Sequence, residues 1–482
     1  MKRFIKDLII VFIFRKVLRG FALKEASKSA ITRLQAIIIA IVIIVAIIAG
    51  VAVYYFILKP GPPSAPEYIK IGWPVPLTGG IAAFGEPDPW VARQIEDYVN
   101  NVIGGVYLSE YGRKIPIKII MRDTKSDADF AATVAAELIT KEQIDLMVVL
   151  HTPGTVVPVS AQCERYEVPC VAYDCPVLSW LIGAPYKWSY LAFWTEVDVA
   201  HIFVGIWDAL GAKTNKIVGG LWSDDPDGRT FRELTVKLAR ARGYTVIDSG
   251  LAPYGTTDFS AYIQQWKSAG AEILTGNFIP PDFASLWRQC REMGYIPKVA
   301  TIGRSVLFPA QVEALGGDLG LGLTTEVWVH KVSPFKSSLT GQTPADLADA
   351  YEKATGKQWS TPLIFSHAAL ENAIDALRRA GSLDKEKIRQ AIADTDLHTI
   401  VGYINFKKPL SEILTPEELS LYQQYPELIE NQDHYSITPV VGGQWVKGTK
   451  WPYELQVVYN WKYDNIPETA MVKTIPELLG KP

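Results

Sequence analysis

The chain has 482 residues, of which 48% are hydrophobic and 21% charged, and a formal net charge of −3. That length exceeds what one compact core fills, so two or three structural units are expected, and the ordinary globular composition excludes a disordered or low-complexity protein. Charge is unevenly placed: nine basic residues up to Gln35 face only Asp7 and Glu25, leaving an acidic body, which excludes a nucleic-acid partner because phosphates demand a basic surface.

After the basic leader comes an uncharged run, AIIIAIVIIVAIIAGVAVYYFIL, from Ala36 to Leu58. As a helix rising about 1.5 Å per residue, these roughly 23 residues match the ~30 Å hydrocarbon core of a bilayer. The run is apolar all round, longer than the core of a cleavable signal peptide, and ends near Tyr54 and Tyr55, suited to a membrane interface. Bases before it put the N-terminus in the cytoplasm and everything after Lys59 outside. The expected organisation is a cytoplasmic basic segment over 1–35, a single transmembrane helix over 36–58 anchoring the chain in the cell membrane, and a proline-rich linker over 59–67. Ile5 to Phe14 form a shorter apolar run, either an amphipathic surface helix or an extension without a role. Cys163, Cys170, Cys175 and Cys290 follow too late for a lipidated anchor, form no C-x-x-C pair, and read as free buried thiols.

Beyond the linker, short β-type runs alternate with helical periodicity. YIKIGWPV (68–75) and IPIKIIM (115–121) read as strands, separated by a helix on Trp90, Val91, Ile95, Tyr98 and Val99. A helix on Phe130, Val134 and Leu138 leads to IDLMVVL (144–150) and VPCVAY (168–173), nearly continuous apolar strands of the kind that a parallel sheet covers on both faces. The alternation restarts with KIVGGLW (216–222), TVID (245–248), EILTGNF (272–278), VATIG (299–303) and TTEVWVH (324–330), with helices between. Helices near 344–356, 363–380 and 385–394 precede a strand-rich tail from about Thr399. The fold expected is α/β, two doubly wound Rossmann-like lobes joined by several crossings that make a hinge over a cleft. One lobe comprises 68–191 with 331–395, the other 192–330 with 396–482.

Open α/β sheets bind ligands beyond the carboxyl ends of their strands. In the loop after the first strand, Thr78 offers a hydroxyl and Phe84 a cover. His151 ends the 144–150 strand, and Thr152, Gly154 and Thr155 follow it at a helix start suited to a carboxylate. Trp73 and Trp222 stand at strand ends. Elbow, zinc-helix, phosphate-loop and dinucleotide motifs are absent, which points to a binding protein without cofactor or metal rather than an enzyme.

The segments IKIGWPVPLTGGIAAFGE (69–86), KIPIKIIMRDTKSD (114–127), TPGTVVPVSAQCERYEVPCVAY (152–173) and GNFIPPDFASLWRQCREMGY (276–295), in this order, resemble the type I periplasmic binding proteins of the Leu/Ile/Val-binding family. Later segments, 334–362 and 438–448, fit longer members. The resemblance implies a receptor that closes on a small solute and delivers it to ABC permease and ATPase subunits on separate chains. It places ligand contacts at 151–155, at Asp174 and Cys175 through Pro176, near Trp222 and Asp227, at Phe278 and around Arg304. Two departures accompany it: Asp174-Cys175-Pro176 stands where amino-acid binders show small hydroxyl residues, and Arg304 stands near where they place an acid for the ligand ammonium. An arginine there attracts a carboxylate, so a different acid, an amide or an aromatic compound also fits as solute, with Asp174 or Asp227 as the ammonium partner if the solute is an amino acid. A sensory ectodomain or a polysaccharide-binding surface protein is the alternative.

Overall fold

The computed structural model describes residues 33–53 and 64–480. Contacts divide the chain into two units, Met1–Pro63 and Ser64–Pro482. In the first, Arg33–Val53 is one α-helix of 21 residues, and its described side chains, from Ile38 to Val51, are exposed. Taking length and hydropathy together, no helix among the described residues is long and apolar enough to cross a membrane. The expected span over 36–58 therefore lacks support from the described residues; its last residues, 54–58, and the leader 1–32 lie outside them.

The second unit is built on two sheets. The first runs Tyr435–Ser436, Ser189–Ala192, Cys170–Tyr173, Leu146–Val149, Ile69–Val75, Ile117–Asp123, all parallel. LMVV and CVAY are buried along their whole length, as a parallel sheet covered on both faces requires. The second sheet runs Tyr453–Tyr459, Val441–Lys447, Leu323–Val327, Val299–Gly303, Ile273–Asn277, Ile217–Ser223, Thr245–Ala252. Five of its strands are parallel and the 441–459 hairpin is antiparallel to them. In both sheets the first strand lies between the second and the third, so each has a switch point there, where adjacent loops part and leave room for a ligand.

The chain passes between the sheets after Ala192, after Val327 and after Ser436. The helix Glu196–Leu210 opens the second half with a capping box, Thr195 to Asp198, while the long helix Thr361–Ala380 returns to pack on the first sheet. Tyr435–Ser436, inside the segment expected with the second lobe, pairs with Ser189–Ala192 at the edge of the first sheet. The tail is less strand-rich than expected, because Leu410–Ile413, Pro416–Tyr422 and Pro426–Glu430 are short helices, two of them started by a proline at N1. The expected 115–121 strand is divided at Pro116, which has no N–H to give a ladder: Arg113–Ile115 pairs with Val106–Leu108, and Ile117–Asp123 joins the sheet. All four cysteines are buried and unpaired.

Candidate functional site

Strand ends of the first sheet bring a buried histidine between two carboxylates. His151 follows Leu146–Val149, Asp174 follows Cys170–Tyr173, and Asp88 opens the helix Asp88–Asp97. His151 Nδ1 lies 2.6 Å from Asp174 Oδ2 and Nε2 lies 2.7 Å from Asp88 Oδ2. Ser366, from the long helix, donates to the other Asp88 oxygen at 2.6 Å. Burial works against charge on the imidazole, yet the two carboxylates outweigh it and hold the His151 pKa up at about 10. Burial likewise pushes the Asp174 carboxyl up to about 7, the His151 contact opposing it. His151, Thr152 and Asp174 have φ of 75°, 73° and 50°. A non-glycine residue held at positive φ costs about 1–3 kcal/mol and persists where surrounding structure enforces it, commonly at a functional site.

Strand ends of the second sheet face this wall. Asp227, in the first turn of Pro226–Ala241, and Asp225, its N-cap, share Arg304: Nη1 lies 2.9 Å from Asp225 and 3.2 Å from Asp227. The Arg304 backbone, at φ 63°, donates its N–H to Glu326 Oε1 at 2.9 Å, and its Nε donates to the Phe278 carbonyl at 3.3 Å. Burial pushes Asp227 up to about 6 and Glu326 up to about 7, each partly offset by Arg304.

Between the walls is a cavity of about 20 Å³, room for the centre of about one water. Phe84, Thr152, Pro153, Asp174 and Pro176 line it from the first half, and Asp227, Phe231, Asn277, Arg304 and Glu326 from the second. Phe193, Trp194 and Trp328, on two of the crossing segments, complete it. Phe84 closes the seam edge-on against Phe308, ring centroids 4.7 Å apart. Arg304 Nη2, Asp227 Oδ1, both amide atoms of Asn277 and the indole N–H groups of Trp194 and Trp328 are buried without a hydrogen-bond partner among the described residues. Buried polar groups are almost always paired, so their convergence on one seam marks a place that a ligand completes.

Seven of the expected contact residues thus line one cavity: Phe84, Thr152, Pro153, Asp174, Pro176, Asp227 and Arg304. His151 stands directly behind Asp174. Thr155 is buried in the next helix turn, Gly154 is exposed, and Cys175 is buried beside Asp174. Phe278 contributes its carbonyl while its ring packs near Phe283. Thr78 is exposed and donates to Asp123 at 2.7 Å, fixing the first loop. Trp73 and Trp222 are core residues away from the cavity, the latter packed over Gly220. Sequence reasoning missed Asp88, Phe193, Trp194, Phe231, Asn277, Glu326 and Trp328. Asn277, Glu326 and Trp328 sit at the ends of recognised strands, where the strand-end rule points; Trp194 follows a strand that was not recognised. Among the described residues no group of three or more His, Cys, Asp or Glu is arranged to hold a metal ion.

A model of the family described as periplasmic binding protein matches residues 68–412. Leu/Ile/Val-binding protein homolog 7 of Brucella abortus is 23% identical over 362 residues, covering 72% of this chain and 86% of the relative. A leucine-binding protein from Thermotoga maritima superposes with a TM-score of 0.61 at 22% identity, over 81% of this chain and 99% of that one. An ABC-transporter solute-binding protein from Rhodopseudomonas palustris, in complex with 3,4-dihydroxybenzoic acid, gives 0.63 at 17% identity, over 84% and 99%. With the two sheets, their crossings and the seam of unpartnered polar groups, the match over most of its length makes this chain a member of the periplasmic binding protein family, whose members bind solutes for transport.

Proposed function

We propose that the chain is the extracytoplasmic receptor of an ABC importer. It captures a small amino-acid-like, amide, carboxylate or aromatic solute in the seam between its sheets and presents the closed form to permease and ATPase subunits on separate chains. The observation that carries this reading is the set of buried, unpartnered polar atoms around one cavity that both halves build. The solutes named for the two solved structures, leucine and 3,4-dihydroxybenzoic acid, support a ligand of this size. A body of that size exceeds the closed cavity, so capture proceeds by parting of the halves, docking on one wall and closure of the other. His151 and Asp88 hold Asp174 and Thr152 in place on the first wall; Asp225 holds Arg304 on the second. The same reading has the uncharged run over 36–58 tether the receptor beside its transporter and raise the effective concentration; carbonate extraction should leave the full chain in the membrane pellet and release 64–482.

Thermal unfolding of residues 64–482 against amino acids, amides, aromatic acids and sugars tests the reading. A solute at 100 times its dissociation constant adds about 2.7 kcal/mol, a clear rise in melting temperature. A folded protein that responds to nothing in the library would sink it.

A further inference from the structure

The charge of the seam narrows the ligand class. We propose that it selects a small organic ammonium ion with an apolar body, a net cation, over the zwitterion or the carboxylate of the same shape. This rests on the receptor reading and deepens it. Three carboxylates, Asp174, Asp227 and Glu326, line the cavity against one Lys or Arg side chain among the described residues, Arg304. Arg304 is already countered, its Nη1 lying within 3.2 Å of both Asp225 and Asp227, and its Nε is engaged by a carbonyl. Only Nη2 remains, so the two-pronged grip by which a guanidinium holds a carboxylate is not on offer. The charge of His151 is balanced behind the wall by Asp88 and Asp174. With the groups behind the walls included, Asp88, Asp174, Asp225, Asp227 and Glu326 stand against His151 and Arg304, so a ligand carboxylate would add to a negative surplus, whereas an ammonium offsets it.

Two further observations point the same way. Asp227 Oδ1 is a buried acceptor with no hydrogen-bond partner among the described residues, on a side chain that lines the cavity and is 6% exposed. The walls between the acids are ring faces and edges from Phe84, Phe193, Trp194, Phe231 and Trp328, and aromatic faces attract a desolvated cation. The remaining unpartnered donors, Arg304 Nη2, the Asn277 amide and the two indoles, suit a neutral carbonyl or hydroxyl on the same solute. Burial pushes the Asp174 and Glu326 carboxyls up to about 7, and a cation brought against them would oppose that shift.

The test uses four probes sharing one apolar body: L-leucinamide, 3-methylbutylamine, L-leucine and 4-methylpentanoate, titrated into the full chain in detergent at neutral pH and followed by calorimetry and melting temperature. The expected result is that leucinamide binds at least about tenfold tighter than leucine, that the amine binds, and that the acid does not. Asp227→Asn, and separately Glu326→Gln, should each weaken leucinamide by about tenfold or more while leaving the protein folded. Leucine or the acid binding as tightly as leucinamide overturns the inference and leaves the receptor reading standing. Silence of both amines up to about 10 mM, or binding of leucinamide unmoved by both substitutions, overturns it as well; the receptor reading falls only if the wider library is silent too.

Discussion

His151 makes two short contacts from inside the core, and its surroundings explain what its removal would do. With both Asp88 and Asp174 buried against it, His151→Leu leaves two carboxylates facing each other without a counter-charge. Breaking a buried ion pair costs about 3–5 kcal/mol, so the free energy of unfolding measured in urea should fall by that amount. The acids of the site also set a pH dependence whose sign can be worked out. Asp174 and Glu326 have folded pKa values near 7, above their ordinary values, so the folded state holds protons that the unfolded chain has released. Stability from these groups is therefore greatest near pH 4 and falls as pH rises to about 7. His151, raised to about 10, contributes stability that is full below its ordinary 6.5 and lost on the way to 10. Both trends run the same way, and calorimetry of the ligand-free protein should find the melting temperature declining from mild acid to pH 9, with a shallower slope for Glu326→Gln.

Elements hold these side chains through features of their ends. The helix Glu196–Leu210 begins at a crossing, and Thr195 serves it twice: its hydroxyl caps the first turn and donates to Tyr422, whose own hydroxyl donates to Asp198 at 2.6 Å. Thr195→Ala should cost about 1–2 kcal/mol in denaturant unfolding. Further along, a Cβ at Gly205 would run into the Tyr459 ring of the 441–459 hairpin, because helix and hairpin approach closely there. Gly205→Ala should therefore destabilise by about 1–3 kcal/mol, although alanine is the better helix former; a gain in stability would show that this contact yields freely.

On the scale of the whole molecule, two of the three crossings deliver tryptophans to the cavity. Trp194 follows the passage after Ala192 and Trp328 the passage after Val327, ring centroids 6.4 Å apart. On the receptor reading proposed above, a ligand packed against them touches the crossing segments, which would couple binding to closure. Glu196 ties the halves from the other side, accepting backbone N–H groups of Leu178 and Ser179 at 2.9 and 2.8 Å across the first crossing. Phe84 against Phe308 is a ring contact joining a loop of one sheet to a loop of the other. Phe84→Ala should favour the open form, seen as a larger radius of gyration in X-ray scattering of ligand-free 64–482 and as weaker retention of bound solute.

Composition and periodicity by themselves determined the α/β class, the tandem lobes and the strand-end loops, because buried parallel strands must be apolar along their length and helices must show a stripe. The strand-end rule also placed His151 among the candidates, and the resemblance to the Leu/Ile/Val-binding family added Asp174, Asp227 and Arg304. Only the tertiary structure decided their meaning. Asp88 meets His151 across 63 positions of sequence and Glu326 meets Arg304 across 22, and no local pattern records such distances. Arg304 reads from the sequence as a carboxylate anchor, but folding sets it between two aspartates, and a charge already balanced attracts little. Trp73 and Trp222 read as site residues because they end strands, yet the direction in which each side chain leaves the sheet puts both in the core. Which faces of the two sheets turn towards each other is a property of how the lobes pack, and it is this packing that turned a set of strand ends into an acidic, aromatic seam.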